Sequence, residues 1–264
     1  MTDILQRIAQ NKRAEINALF HDEEARQTIT QQATANKAPA TISMSGNLRK
    51  TPGGIIAEFK RRSPSKADIF PMADVTEIIP QYAANGAAAC SVLTDTRFFG
   101  GCNADLAIAR TLSQSIPLLR KDFIIDPIQI HEARLLGANA ILLIAAILTP
   151  DEMASCNSVA HSLGMEALVE IHDSSELDKI TFIPDMLGVN NRNLSTFHTD
   201  INNSLHLAST LPADTLLVAE SGIRTPDDIR RLRDAGFTGF LIGEAFMSSP
   251  DPGATLKNFV NETV

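Results

Sequence analysis

Four times along the chain a helix-like segment is stopped by a glycine and followed at once by an apolar run: Gly86 before AAACSVLT, Gly137 before ANAILLI, Gly164 before MEALVEI and Gly236 before FTGFLIG. Glycine accepts the left-handed position that ends a helix, and a short unbroken apolar run then reads as a strand buried on both faces. The four glycines lie 51, 27 and 72 residues apart. Those gaps fit two, one and three copies of a unit of about 25 residues, one strand plus one crossover helix. A second mark recurs on the other side of the unit, where a residue able to cap a helix precedes proline: Asp126-Pro127, Thr149-Pro150, Thr225-Pro226 and Ser249-Pro250. Proline suits the first helical position because the N–H it lacks would have no partner there, so each pair is expected to open a helix. Strands and helices alternating through such short links mean a parallel sheet, either open or closed.

Length decides between the two. The 264 residues match the roughly 250 that one (β/α)8 barrel takes. Eight strands fit, near 55–60, 88–94, 117–122, 140–146, 167–172, 186–191, 216–221 and 239–243. The expected fold class is therefore α/β, a single (β/α)8 TIM barrel over residues 1–264, with 1–53 as an N-terminal helical extension and loop. In that extension Ile4, Leu5, Ile8, Ile16, Leu19 and Phe20 recur near helical spacing, which predicts one amphipathic helix laid against the barrel. Residues 33–53, rich in Ala, Thr, Ser, Pro and Gly, read mostly as loop. Pro80 falls inside the first barrel helix, where a missing N–H predicts a kink or a late start.

Composition narrows the partners. A formal charge of −8 and a pI near 5.2 repel polyanions, which argues against nucleic acid or an anionic membrane surface while leaving room for a local phosphate pocket. Cys90, Cys102 and Cys156 are odd in number and widely spaced, with no zinc-like or redox spacing, and fit a reducing cytoplasm. No metal is expected, because the six histidines form no ligand motif. The start, Met1-Thr2-Asp3, has no basic and apolar leader pattern. The longest apolar run, Ala140 to Leu148, is far short of the ~20 residues that span a bilayer.

The informative residues are charges at strand ends, since in this fold the active site gathers where the strands finish. Alternation through IIAEFK puts Ile56, Glu58 and Lys60 on one face. In LLRKDF, Lys121 shares parity with Leu119 and points inward, while Arg120 turns toward the helices. ALVEIH puts Glu170 with Leu168 and His172; GVNNR offers Asn190 and Arg192 on one side; and LLVAESG ends on Glu220 and Ser221. A buried Lys or Glu taken alone is as readily a structural ion pair; the shared position at strand ends is the signal. The turns Ser221-Gly222 and Gly243-Glu244 follow the seventh and eighth strands, where barrels hold a phosphate on backbone N–H groups, although glycines there can also serve only as tight turns. The loop RRSPSK after the first strand adds positive potential beside Lys60 or covers the mouth.

Taken together, ILQRIAQNKRAEI, IIAEFKRRSPSK, VLTDTRFFGG, LLRKDFIID, LVEIH, GVNNRNL, VAESGI and LIGEAFM resemble the blocks of the indole-3-glycerol phosphate synthase family, in family order and over almost the whole chain. The resemblance implies ring closure, decarboxylation and dehydration of 1-(2-carboxyphenylamino)-1-deoxyribulose 5-phosphate in tryptophan biosynthesis, with no cofactor. It implies that Lys121 is the general acid at the ketone oxygen and Glu170 the catalytic glutamate. Lys60 meets the substrate carboxylate, with Glu58 as its strand neighbour. Asn190 and Glu220 orient the substrate; Ser63 and Arg192 line the site; Phe98 and Phe99 wall the aromatic ring. Ser221, Gly222, Gly243 and Glu244 serve the substrate and its phosphate. Ala67 departs from the family pattern, which commonly has glycine after SPSK. The implied enzyme is a cytoplasmic monomer, and association with other tryptophan-pathway enzymes is left open. Two rivals remain at this point: a Schiff-base aldolase on the same barrel with Lys121 as amine nucleophile, and a barrel that binds phosphometabolites without turning them over.

Overall fold

The computed structural model describes residues 4–35, 40–193 and 196–264. Among the described residues three helices precede the first strand, α1 (Ile4–Leu19), α2 (Glu23–Thr34) and α3 (Met44–Lys50). The barrel then runs β1 (Ile55–Phe59), α4 (Val75–Ala84), β2 (Ala89–Leu93), α5 (Thr96–Phe99), α6 (Asn103–Leu112), β3 (Leu118–Lys121), α7 (Ile128–Leu135) and β4 (Ala140–Ile144). It continues α8 (Pro150–Ser162), β5 (Glu166–Ile171), β6 (Met186–Asn190), α9 (Asn202–Leu207), β7 (Leu216–Glu220), α10 (Pro226–Asp234), β8 (Gly239–Ile242), α11 (Glu244–Met247) and α12 (Pro252–Thr263). All eight strands pair in parallel with their sequence neighbours, and β8 closes on β1 through Ile56 and Leu241. The closed barrel leaves no free sheet edge.

Each glycine that heads an apolar run takes a positive φ, between 72° and 101° for Gly86, Gly137, Gly164 and Gly236. Three of the four proline pairs open helices: Thr149 and Thr225 make reciprocal capping boxes with Glu152 and Asp228, and the Asp126 carboxylate accepts from the Ile128 N–H at 2.9 Å. The fourth does not. Asp251 caps α12 two residues beyond Ser249, with Pro252 at the first helical position. Nor does every unit carry a helix of full length: β5 and β6 are joined by a 3₁₀ turn, Ser174–Lys179. Pro80 sits inside α4, which already begins at Val75 behind an Asp74 cap, so the late start is not observed.

The N-terminal segment holds more structure than its composition suggests. Residues 44–50, read as loop, form α3, whose Met44 and Leu48 are completely buried within the barrel's inner cluster together with Ile56, Leu168, Met186 and Val218. Its start is fixed from 120 residues away in sequence. The Glu166 carboxylate, at the beginning of β5, accepts from the N–H groups of Met44 and Ser45 at 2.6 and 2.9 Å and from the hydroxyls of Ser43 and Ser45 at 2.7 and 2.8 Å. A carboxylate there satisfies donors that no helix can satisfy itself and complements the helix dipole. Thus α3 plugs the N-terminal end of the barrel. At the opposite end α1 buries Leu5, Ile8 and Ile16 as its spacing predicts, with Phe20 just beyond it, but leaves Leu19 exposed. Packed side chains fill the barrel interior (Leu119, Leu142, Leu168, Leu241), and a second cluster, including Val92, Leu143, Val169 and Phe240, fills the layer between sheet and helices.

Candidate active site

A cavity of about 440 Å³ opens at the C-terminal ends of the strands, beneath α1. Alternation along each strand delivers its charges. Glu58 is buried on β1, and Lys60, just past the strand end, donates to its Oε1 at 2.5 Å. Lys121, last on β3, donates to Oε2 of Glu170 on β5 and to Oε2 of Glu220 on β7, both at 3.0 Å. Arg120 points the other way, toward Glu132 on α7 and the Gln129 carbonyl, at 2.7 and 2.8 Å.

Two buried carboxylates sharing one ammonium cannot be equivalent. Burial would lower the Lys121 ammonium, but Glu170, Glu220 and Glu58 outweigh it and hold the group well above the usual lysine range. Burial likewise works against ionisation of Glu170, yet Lys121 and His172, with a hydrogen bond from Asn190, pull its carboxyl down to about 2. Glu220 goes the other way. Burial and the nearby Glu170 charge push it up to about 8 despite Lys121, and its Oε1 is buried without a hydrogen-bond partner. The cluster therefore sets a stabilised cation, a carboxyl held down and a carboxyl pushed up at the ends of three alternate strands, β3, β5 and β7. That is a divided set of proton donors and acceptors.

The remaining predicted residues fall around this centre. Asn190 ends β6, and its Oδ1 accepts from the Arg192 N–H at 3.0 Å. The Arg192 guanidinium reaches over the mouth to the Ser65 hydroxyl at 2.7 Å and to Glu244 at 3.7 Å. Ser63 lines the cavity within the loop after β1, and in the same loop Lys66 donates to Ser248 at 3.0 Å, tying β1 to the segment after β8. After β7 the chain turns on two successive left-handed residues, Ser221 (φ 67°) and Gly222 (φ 76°), with the Asn191 side-chain amide donating to the Ser221 carbonyl at 3.1 Å. After β8, Gly243 precedes the single turn α11, whose first N–H groups have no intrahelical acceptor. Both turns line the cavity, side by side because β7 and β8 pair through Glu220 and Leu241.

Gly243 has a second reason to be glycine. A Cβ there would overlap Oε1 of Glu58, so the residue makes room for a charged side chain as well as shaping a turn.

The two phenylalanines separate. Phe99 lines the cavity and packs 5.9 Å from the Phe123 ring, whereas Phe98 is not among the lining residues. Phe98 instead sits against Arg97, 5.7 Å from its guanidinium, beside a shallow surface depression under α1. A one-turn helix, α5, carries both, and neighbouring residues on a helix diverge by about 100°. Strand alternation does not extend into such a turn.

Other lining residues went unread in the sequence. Ile4, Leu5 and Ile8 of α1 roof the cavity opposite Phe99, Phe123, Leu142 and Ile144, which makes one side of it apolar. Lys12, on the same helix, is buried and pairs with Asp122 at 2.9 Å and Asp95 at 3.3 Å, at the ends of β3 and β2. The adjacent RKD of β3 was the available signal: a third charge in a row at a barrel strand end needs a partner. Among the described residues no three His, Cys, Asp or Glu side chains are grouped as a metal site requires, and no helix is long and apolar enough to cross a membrane.

The family model described as indole-3-glycerol phosphate synthase matches residues 5–259. The chain belongs to the indole-3-glycerol phosphate synthase family. Among similar proteins, an indole-3-glycerol phosphate synthase of Bacteroides thetaiotaomicron is 50% identical over 260 residues, covering 98% of each chain. Another, of Albidiferax ferrireducens, is 45% identical over 262 residues, covering 97% of each. Solved structures with the same fold include a thiamine phosphate pyrophosphorylase from Pyrococcus furiosus, with TM-score 0.59 and 13% identity over 81% of this chain and 98% of that one. A 3-hexulose-6-phosphate synthase from Salmonella typhimurium has TM-score 0.62 and 11% identity over 80% of this chain and 98% of that one. At such identities these two speak for the barrel alone. Membership of the synthase family is carried by the first two and by the family match.

Proposed function

We propose that this member of the indole-3-glycerol phosphate synthase family converts 1-(2-carboxyphenylamino)-1-deoxyribulose 5-phosphate to indole-3-glycerol phosphate, with loss of carbon dioxide and water, in tryptophan biosynthesis. The observation that carries the reading is the two-sided cavity. Its apolar wall of Phe99, Phe123, Leu142 and Ile144 suits an aryl ring, its glycine turns suit a phosphate, and Lys121 and Glu170 stand between them.

Lys121, fully charged and at a strand end, donates a proton to the ketone oxygen as the ring carbon attacks it. Decarboxylation restores the aromatic ring, and Lys60 faces the departing carboxylate while Glu58 holds Lys60 by the 2.5 Å contact. In the dehydration Lys60 protonates the departing hydroxyl, which leaves as water, while Glu170, kept ionised, takes up the proton that the substrate loses. Glu220 and Asn190 orient the substrate hydroxyls, and Ser63 and Arg192 line its path. Ser221, Gly222, Gly243 and the backbone of Glu244 receive the phosphate, with the N–H groups at the start of α11 as donors. Phe99, and not Phe98, meets the ring.

An amine nucleophile must be unprotonated before it attacks, whereas the Glu170 and Glu220 carboxyl groups at 3.0 Å favour the protonated, acid form of Lys121 in the resting site. Borohydride treatment with substrate is accordingly expected to leave the protein mass unchanged, where a Schiff-base aldolase would be trapped. The proposed residues all belong to one chain, which supports a monomer, and three free cysteines support a reducing cytoplasm. The decisive experiment mixes the protein with the carboxyphenylamino-deoxyribulose phosphate and follows indole fluorescence. The chain has no Trp and one Tyr, so the protein's own signal is low. Folded protein that yields no indole signal would refute the reading.

A further inference from the structure

One buried titratable group beside the proposed acid and base has no part in the scheme above. His172 follows β5 and is absent from the cavity lining. Its side chain is only 12% exposed, and both ring nitrogens are buried. Nε2 lies 3.4 Å from Oε1 of Glu170, and Nδ1 lies 3.5 Å from Oε2 of Glu176 on the 3₁₀ turn after β5. Neither contact has hydrogen-bond geometry. The turn is held in place independently, because the same Glu176 Oε2 accepts from the His172 backbone N–H at 2.7 Å. On the far side the Asn203 amide donates to the His172 carbonyl at 3.1 Å.

A neutral imidazole has one N–H and one lone pair. With a carboxylate oxygen facing each nitrogen, either neutral tautomer would turn a lone pair toward an anion. Only the imidazolium, with its positive charge spread over the ring, is attracted to both. Resting on the proposed function of the site, we infer that His172 is a positioning residue for Glu170: as an imidazolium bridging Glu170 and Glu176, it holds the Glu170 carboxylate ionised and aimed at the cavity.

The ion pairs then run from Lys121 on β3 through Glu170 and His172 at the end of β5 to Glu176 on the turn, with the Glu220 carboxyl of β7 on the far side of Lys121. The titratable groups that act on the ring are acidic: Glu176, Glu170 and Glu220, with Asp173 adjoining. Of the cations on the neighbouring elements, Lys121 lies beyond Glu170, and Lys179, at the end of the turn, donates to the Ala145 carbonyl at 2.8 Å. Burial opposes charging the ring, but Glu176, Glu170 and Glu220 raise it above the ordinary histidine value.

The test reads the ring directly and the activity separately. In ¹⁵N-histidine-labelled protein, the resonance lost in His172→Gln identifies the ring. It should titrate above the ordinary value of 6.5 and move down by about one unit in Glu176→Gln, the change expected when an opposite charge nearby is removed. Titration at or below 6.5, or a value that Glu176→Gln does not move, would overturn the inference, and neither reading requires turnover. In the assay, His172→Gln should move the acidic limb of the kcat profile up by about one unit, with KM changed less than twofold, whereas Glu176→Gln, in which the ring stays protonated at acidic pH, should not move the limb up. A lower kcat with an unmoved limb marks a merely structural role. Wild-type protein that makes no indole product sinks the synthase reading, while the ring titration still decides the role of His172.

Discussion

Gly188 on β6 and Glu220 on β7 are sterically complementary: a methyl group on Gly188 would overlap Oε1 of Glu220 and crowd the Leu168 side chain. The φ of Gly188 is not in the left-handed region, so its backbone would accept other residues. Space is what the position supplies. Without that space the Glu220 carboxylate could not lie against Lys121 at the bottom of the cavity. Gly188→Ala is therefore expected to lower kcat/KM on the order of 10²-fold, the cost of misplacing a reacting group by about 1 Å. The double variant Gly188→Ala/Glu220→Ala should be no less active than Glu220→Ala alone, since the clash is gone. Steady-state kinetics on the three proteins checks the pair.

Removing the shared cation separates turnover from binding. Lys121→Met keeps the length of the side chain but removes the cation that holds the Glu170 carboxyl down beside Glu220, so Glu170 too is pushed up. Turnover should fall by about 10²–10⁴-fold, the usual scale for loss of a general acid. Affinity for the product, measured by calorimetry below pH 7, should change far less. Unaffected turnover would remove Lys121 from the role proposed for it.

The opposite shifts of the two carboxylates predict opposite effects of pH on stability. Glu170 is held near 2 in the fold against an ordinary value of 4.5, so its contribution is complete above about 4.5 and is lost as pH falls toward 2. Glu220 is raised from 4.5 to about 8. The folded form then holds a proton that the unfolded form has released, and stability falls as pH rises from about 4.5 to 8. Glu220→Gln should flatten the decline of unfolding free energy between pH 5 and 8 by up to one proton per molecule, measured by denaturant titration. A steeper decline would contradict the assignment.

The barrel was legible because two local devices repeat. A glycine forced into a left-handed helix end and an apolar run behind it need no tertiary knowledge to read, and Gly86, Gly137, Gly164 and Gly236 placed their strands to within a residue or two. Inward charges were legible for a related reason: alternation along a strand is strict, so Lys121 and Arg120 part correctly. What stayed hidden depends on partners distant in sequence. The segment around Gly46 and Asn47 is weak in helix formers, and becomes α3 because Glu166 caps it and the barrel floor buries Met44 and Leu48. Lys12 lies on an otherwise amphipathic helix and is buried only because Asp95 and Asp122 wait at two strand ends.

The separation of Phe98 from Phe99 tests the aryl wall. Phe99→Ala should raise KM for the aryl substrate, since truncating a buried aromatic wall removes about 1–3 kcal/mol of packing. Phe98→Ala, packed against the inner cluster but outside the cavity lining, should leave KM within twofold and show its effect in thermal unfolding instead. Equal changes in KM for the two variants would mean that the ring binds elsewhere.

Lys12 offers a test of the roof. Its ammonium is buried between Asp122, Asp95 and Glu15, and though burial opposes its charge, those carboxylates hold it well above the usual lysine range. Through it α1, bearing Ile4, Leu5 and Ile8, is pinned over the cavity by the ends of β2 and β3. Breaking such a pair leaves uncompensated buried charge at a cost of about 3–5 kcal/mol. Lys12→Met should thus loosen α1 before the barrel itself. The expected signs are faster proteolysis within residues 4–19 and a higher KM with kcat reduced less, because the apolar wall loses one side while Lys121 and Glu170 stay on their strands. Adding Asp122→Asn should recover part of the lost stability by removing one stranded carboxylate. A fall in kcat at constant KM would instead place Lys12 in the proton chemistry, through Asp122 beside Lys121.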